Sequence, residues 1–378
     1  MISYFNYLYF RHPAIQQVII DHRGHETLSK LLDLGKLNWS HSAIYSRKGT
    51  NLLPFKNGLI DVPGFAMPDY NPNYNLSWTE VTDQRCQDLR ASHWHKPWVV
   101  LWSGGIDSTV IVAAIIKNLA RADFDNITIA CTAVSIWENP QFYFDHIKPN
   151  FKVVNSKEIF LEETNSTDSY FIDSFPADQL FGCLGGYLDT LHQNPEVLHT
   201  DIIKNKDCAI DFFTDIANKN FAEWYYHVLL DNASSAGIPL TTLYDLMWWS
   251  GFNNAWASVK LGYLTQGKWA HLKNAKYYVD NFVNWFDSND YQLWSMNRNN
   301  VAEQLGTNPS EVKLAAKKYI YSVDNNRYYF KFKTKMPSIE LIDRNWVDHW
   351  CCIDDNWNLL NFKDHQAQII SMLPDHLV

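Results

Sequence analysis

Between Ser103 and Ser108 the chain reads S-G-G-I-D-S, set between an apolar burst that ends at Trp102 and a second apolar run, Val110 to Ile116. Two glycines, a carboxylate and hydroxyls at this spacing suit a phosphorylated ligand. Gly104 and Gly105 let the main chain approach a ligand closely and adopt unusual dihedrals. With a strand before the turn and a helix after it, unpartnered backbone N–H groups and the positive end of the helix dipole face the same point. Ser103 and Ser108 can donate to phosphate oxygens. Asp107 is the informative residue, because a carboxylate beside phosphates repels them unless a cation lies between. Mg²⁺ is the natural cation, held by carboxylate and phosphate oxygens together. The G-x-x-x-x-G-K-S/T spacing and its lysine are absent, so this is not a Walker loop.

The elements around this turn read as α/β. "PWVVLW" is a short continuous apolar run, as in a central parallel strand, and 107–121 reads as a helix apolar on most faces. "NITIACTAVS" reads as a second strand and "FKVVN" as a third. Between them Asn139 and Pro140 make a helix start, with proline at the first helical position. Alternating strands and helices predict a doubly wound parallel sheet, with the glycine turn at the carboxyl end of a strand, where ligands of such sheets bind. Beyond about residue 200 the helical period dominates: Phe221, Trp224, Tyr225, Val228 and Leu229 share one face. In "NPSEVKLAAKKYI", Asn308, Pro309 and Glu311 form a capping-box pattern, predicting a helix from there.

Residues 1–95 read as a small α+β region. "QQVIIDH" and "HSAIYSR" suit strands, "ETLSKLLDLGKL" a short helix, and "LPFKNGLIDVPG" a hairpin around Asn57-Gly58. The turn-rich "MPDYNPNYNLSW" marks the boundary to a second region, residues 96–378.

Composition narrows the function classes. The net charge is −9 over 378 residues, which argues against a nucleic-acid partner, since phosphate binding wants basic surface. The six cysteines contain no C-x-x-C pair, against a structural zinc site, and the vicinal Cys351-Cys352 suits reduced thiols. The N-terminus lacks a signal-peptide pattern, and no apolar run approaches the length of a membrane span. The expectation is a cytoplasmic protein without a membrane partner. The aromatic-rich "LYDLMWWSGFNNAWASVKLGY" suits either a packed core or the lining of a substrate pocket.

The S-G-G-I-D-S string resembles the pyrophosphate loop of the N-type ATP pyrophosphatases, or PP-loop enzymes, which cleave ATP between the α- and β-phosphates. "ADQLFG", residues 177–182, resembles the asparagine synthetase-like branch, where small-Asp-Glu-Leu-Phe-Gly-Gly-Tyr follows a strand. The resemblance implies an adenine nucleotide α-hydrolase-like sheet. It also implies that Asp178 binds Mg²⁺-pyrophosphate opposite Asp107, and two carboxylates gripping one metal would neutralise the leaving group. It places adenine near main-chain groups of Val134 and Ser135, at the end of the second strand, and finds the family's helical acid at Asp145. It implies a late basic loop whose lysine stabilises the transition state. "YYFKFKTKMPS", with Lys331, Lys333 and Lys335 at alternate positions after a helix carrying Lys313, Lys317 and Lys318, offers Lys333 first and Lys331 second. An edge strand guarded by lysines is the other reading of that alternation.

The departures from the pattern are specific. Gln179 replaces the usual Glu, and Phe175 falls where an acid is usual three residues before the motif Asp; Asp173 is the nearest carboxylate. Ile2 stands where a glutaminase nucleophile belongs, and the first cysteine is Cys86, so residues 1–95 resemble at most a reduced glutaminase-like remnant. β-Lactam synthetases and lasso-peptide cyclases share that loss.

The sequence therefore predicts an ATP- and Mg²⁺-dependent ligase that adenylates a carboxylate of a small molecule or peptide, releases pyrophosphate and forms an amide, without glutamine as the nitrogen source. A PP-loop enzyme acting on a nucleobase or tRNA, and a non-catalytic nucleotide-binding relative, are the alternatives. Homo-oligomerisation stays open.

Overall fold

The computed structural model describes residues 47, 66–156, 168–182, 195–214, 219–256, 281–297, 313–333, 351–353 and 359–361. The strands, helix and hairpin expected within 1–65 fall outside these residues except for Arg47, which lies in a bend; Cys183, Asn308 to Glu311 and Lys335 fall outside them too.

In chain order the framework begins with helix α1 (Trp78–His93), strand β1 (Trp98–Leu101) and helix α2 (Ile106–Asn118). Strand β2 (Ile127–Cys131), helix α3 (Ala133–Glu138), strand β3 (Lys152–Asn155), strand β4 (Tyr170–Asp173) and helix α4 (Ala177–Phe181) follow. Then come α5 (Lys206–Thr214), α6 (Lys219–Ser235), α7 (Leu243–Trp249), strand β5 (Phe282–Asn284), α8 (Asn289–Met296), α9 (Leu314–Asp324) and α10 (Arg327–Phe332). A separate antiparallel pair joins β6 (Cys351–Ile353) to β7 (Leu359–Asn361).

β1 to β5 form one parallel sheet in the order β3-β2-β1-β4-β5. Helices cover both of its faces, so the α/β reading holds. β1 lies in the middle with Trp98, Val99 and Val100 buried, which is why its sequence runs apolar without alternation. α2 is apolar nearly all round because it is covered: every residue from Thr109 to Ile115 is buried, and α1 and α9 pack against it. Among the described residues the part beyond 200 is mainly helical, as its periodicity predicted. Tyr225 and Leu229 are buried on the inward face of α6. Trp248, Trp249, Phe252 and Trp256 are all buried, so the described part of the aromatic-rich stretch is core.

Several expectations are corrected. The second strand ends at Cys131, and Val134 and Ser135 lie in α3, because Thr132 caps that helix by accepting from the Ser135 N–H. The lysine alternation at 331–333 is not a strand: Lys331 lies in α10, capped by the Asn326 side chain, and Lys333 ends it. The lysine-bearing helix α9 runs from Leu314, with Lys313 in left-handed backbone at φ 57° and ψ 41° just before it; the helix start expected at Asn308 to Glu311 lies outside the described residues. β5 was not foreseen; three buried residues carry too little pattern to separate a strand from its helical surroundings.

Cys86, Cys131 and Cys208 are free thiols. Burial pushes the Cys86 thiol up to about 12 and raises Cys131 as well, so neither offers a reactive thiolate.

Candidate functional site

The glycine turn joins β1 to α2. Gly104 has φ +82°, and a Cβ there would lie 2.2 Å from the Ser135 carbonyl oxygen, so only glycine lets this turn pass α3. The Ser103 N–H donates to Ser108 Oγ at 3.1 Å, and the Gly105 N–H donates to Ser103 Oγ at 3.3 Å. Thr109 Oγ1 donates to the Gly105 carbonyl at 2.7 Å and accepts from Trp102 Nε1 at 3.1 Å. Ser108 is buried and holds the turn from beneath, whereas Ser103 is exposed at its rim.

Asp107 sits in the first turn of α2 and Asp178 in the first turn of α4. These helices follow β1 and β4, which are neighbours in the sheet. The strand order reverses here, with β2 and β3 to one side and β4 and β5 to the other. Ligands of open α/β sheets bind in the crevice outside the carboxyl ends of the strands at such a reversal. Both carboxylates converge on the ammonium of Lys313, 2.5 Å from Asp107 Oδ2 and 2.5 Å from Asp178 Oδ1, with a Lys313 side chain only 1% exposed. Gly182 caps α4 with φ +68°, and a Cβ there would meet Trp248 Cα at 2.9 Å, so the second motif is seated against α7.

Glu138, at the end of α3, lies over the turn: its Oε1 is 3.6 Å from where a Gly105 Cβ would be. That oxygen accepts from Lys333 Nζ at 2.6 Å, and the pair is nearly buried, at 7% and 10% exposure. The buried Lys317 donates from Nζ to the Lys333 carbonyl at 2.9 Å and fixes its backbone. Burial, and then the charges of Glu138 and Asp107 among its neighbours, hold the Tyr329 phenol well above the ordinary tyrosine range, so it stays neutral.

Comparison with protein-family models, curated proteins and solved structures finds no match.

Ser103, Gly104, Gly105, Asp107, Ser108 and Asp178 therefore lie at or around one point, and Ser135 meets the turn through its carbonyl. Val134 is placed beside Ser135 in the backbone of α3. Lys333 reaches the turn through Glu138, whereas Lys331 is exposed on α10. Asp173 is buried at the end of β4. Its carboxylate accepts from both Asn284 Nδ2 (2.9 Å to each oxygen) and the Phe175 N–H at 3.0 Å, which ties β4 to β5. Asp145 lies in a π-helical turn, Tyr143–Ile147. Sequence reasoning passed over Lys313 and Glu138. Lys313 was visible only as one lysine of a helix, and nothing local reveals the left-handed residue that turns it inward.

Among the described residues no three His, Cys, Asp or Glu side chains gather as a metal site. Mg²⁺ is usually held by one or two carboxylates together with substrate phosphates. Asp107 and Asp178, already converging on one positive charge, fit a cation delivered with a polyphosphate.

Proposed function

We propose that the chain binds ATP with Mg²⁺ at this crevice and is an amide-forming ligase that releases AMP and pyrophosphate. One observation carries the reading: carboxylates from the turns after β1 and β4 meet on a single cation where the strand order reverses, beside a turn in which Gly104 has no room for a side chain of its own. The sequence pattern of the two turns supports the finer assignment to asparagine synthetase-like chemistry with a PP-loop, adenine nucleotide α-hydrolase-like sheet. The glycine turn would cradle phosphate through backbone N–H groups. Asp107 and Asp178 would hold the metal, which when bound neutralises charge on the departing pyrophosphate. Lys333, held beside the turn by Glu138, would stabilise charge developing on the α-phosphate or the reacting carboxyl. The acyl substrate is a small molecule or peptide carboxylate, and an amine then displaces AMP.

The deciding experiment measures pyrophosphate release from ATP and Mg²⁺ in the presence of pooled amino acids and peptides. Release that Asp178→Asn abolishes, with an unchanged circular dichroism spectrum, supports the reading. Absence of nucleotide binding at millimolar ATP overturns it.

A second reading is favoured by Lys313. An ammonium already seated between the carboxylates suits a nucleotide-binding protein without catalysis. ATP binding that needs no divalent cation, with no pyrophosphate formed, would select it.

A further inference from the structure

Lys313 is both buried and conformationally costly. Its ammonium is shared by Asp107 and Asp178. Its backbone occupies the left-handed region, where a non-glycine residue persists only if the surroundings over-determine it. Two anchors do so. The carboxylates hold the head of the side chain. The helix that Lys313 starts is held separately: the Lys317 N–H donates to the Lys313 carbonyl at 3.0 Å, and Tyr319 Oη donates to Asp83 Oδ1 at 2.5 Å, beside Lys117 and Asn118 of α2. The ammonium can therefore leave the carboxylates while α9 stays docked.

We propose that Lys313 is an internal counter-ion latch: in the ligand-free protein its ammonium holds Asp107 and Asp178 together in the position a divalent cation takes, and a divalent cation arriving with an anionic ligand exchanges with it. Only the identity of that ligand rests on the nucleotide reading; the latch itself is a property of the chain. Two carboxylates pulled to one point repel each other, and a cation between them relieves that repulsion. Exchanging one ammonium for a divalent cation adds one positive charge between the two carboxylates. The released ammonium then needs an anion, which the cation's ligand supplies. A divalent cation alone must displace a buried ammonium from both carboxylates, so it binds poorly. Cation and anionic ligand consequently favour each other's binding.

The test uses Mn²⁺ as the probe, read by thermal denaturation and by titration calorimetry on the full chain, without turnover. The wild type should bind Mn²⁺ alone weakly and show no rise in melting temperature. Lys313→Met should melt lower in chelator, recover with Mn²⁺, and bind Mn²⁺ at least about tenfold more tightly than wild type, because two facing carboxylates have lost their resident cation. Lys313→Arg, which keeps the charge, should stay insensitive to Mn²⁺. Equal Mn²⁺ affinity in wild type and Lys313→Met overturns the latch. Should Lys313→Met fail to fold, wild type decides: Mn²⁺ bound as tightly without ATP as with it overturns the latch, and Mn²⁺ bound only with ATP supports it. A latch that responds as expected in a protein that forms no pyrophosphate overturns the ligase reading alone.

Discussion

Gly104 and Lys313 both occupy backbone that side chains seldom adopt, for opposite reasons. At Gly104 the turn passes so close to the Ser135 carbonyl that a Cβ has no room. Gly104→Val should therefore cost about 1–3 kcal/mol in local strain and abolish the rise in melting temperature given by ATP with Mg²⁺. At Lys313 the strained residue carries the group the site needs. Lys333 and Lys331 differ at the same scale, since one is held beside the turn by Glu138 and the other faces solvent. Lys333→Met should lower pyrophosphate release at least about a hundredfold, as expected for one preorganised charge-stabilising donor, with ATP affinity changed far less. Lys331→Met should leave the rate within a few-fold, and a similar loss in both variants would argue against Lys333 acting at the reacting groups.

The helices that carry the site's charges are tied to one another. Asp83 on α1 accepts from Lys117 Nζ at 2.7 Å and Asn118 Nδ2 at 2.9 Å on α2, and from Tyr319 on α9. One carboxylate thus links the helix carrying Asp107 to the helix that Lys313 begins. Partial burial would raise the pKa of Asp83, but the donors from Lys117, Tyr319 and Asn118 outweigh it and hold the carboxyl below the ordinary aspartate value. A carboxyl depressed on folding contributes stability that is present above its unfolded pKa and lost as pH falls through the folded value. The wild type should consequently lose stability below roughly pH 4, and Asp83→Asn should flatten that part of the profile. Asp83→Ala should cost about 1–3 kcal/mol by leaving part-buried donors without their acceptor. Chemical denaturation across pH measures both; an unchanged acid limb in Asp83→Asn would remove Asp83 from this role.

Across the molecule, aromatic packing joins the second motif to the rest of the core. Trp78 on α1 lies with its ring 4.9 Å from Phe181, 4.7 Å from Trp294 and 5.0 Å from Tyr291. Phe181 closes α4, the helix that carries Asp178. Trp78→Ala should destabilise by about 3–5 kcal/mol, the usual cost of emptying a large core site. It should also weaken Mg²⁺-ATP binding in the protein that remains folded, because α4 loses its backing. Destabilisation with unchanged ligand affinity would show that Gly182 and Trp248 alone seat the motif. Among the described residues no helix is long and apolar enough to cross a membrane.

The sequence by itself determined the parallel α/β framework and the glycine turn after its central strand, because each is written locally; the second acidic turn was legible only through its resemblance to a known motif. A continuous apolar run marks a strand buried on both faces. A glycine pair marks a turn, and an Asp beside it marks a helix start. The tertiary structure alone decided what the acids face. Lys313 lies 206 residues from Asp107 and 135 from Asp178, and it reaches both through a backbone conformation that nothing in "EVKLAA" announces. Glu138 likewise became part of the site only when Thr132 ended the second strand early and α3 swung over the turn. An ion pair between distant segments depends on how helices dock, and local pattern carries no term for that.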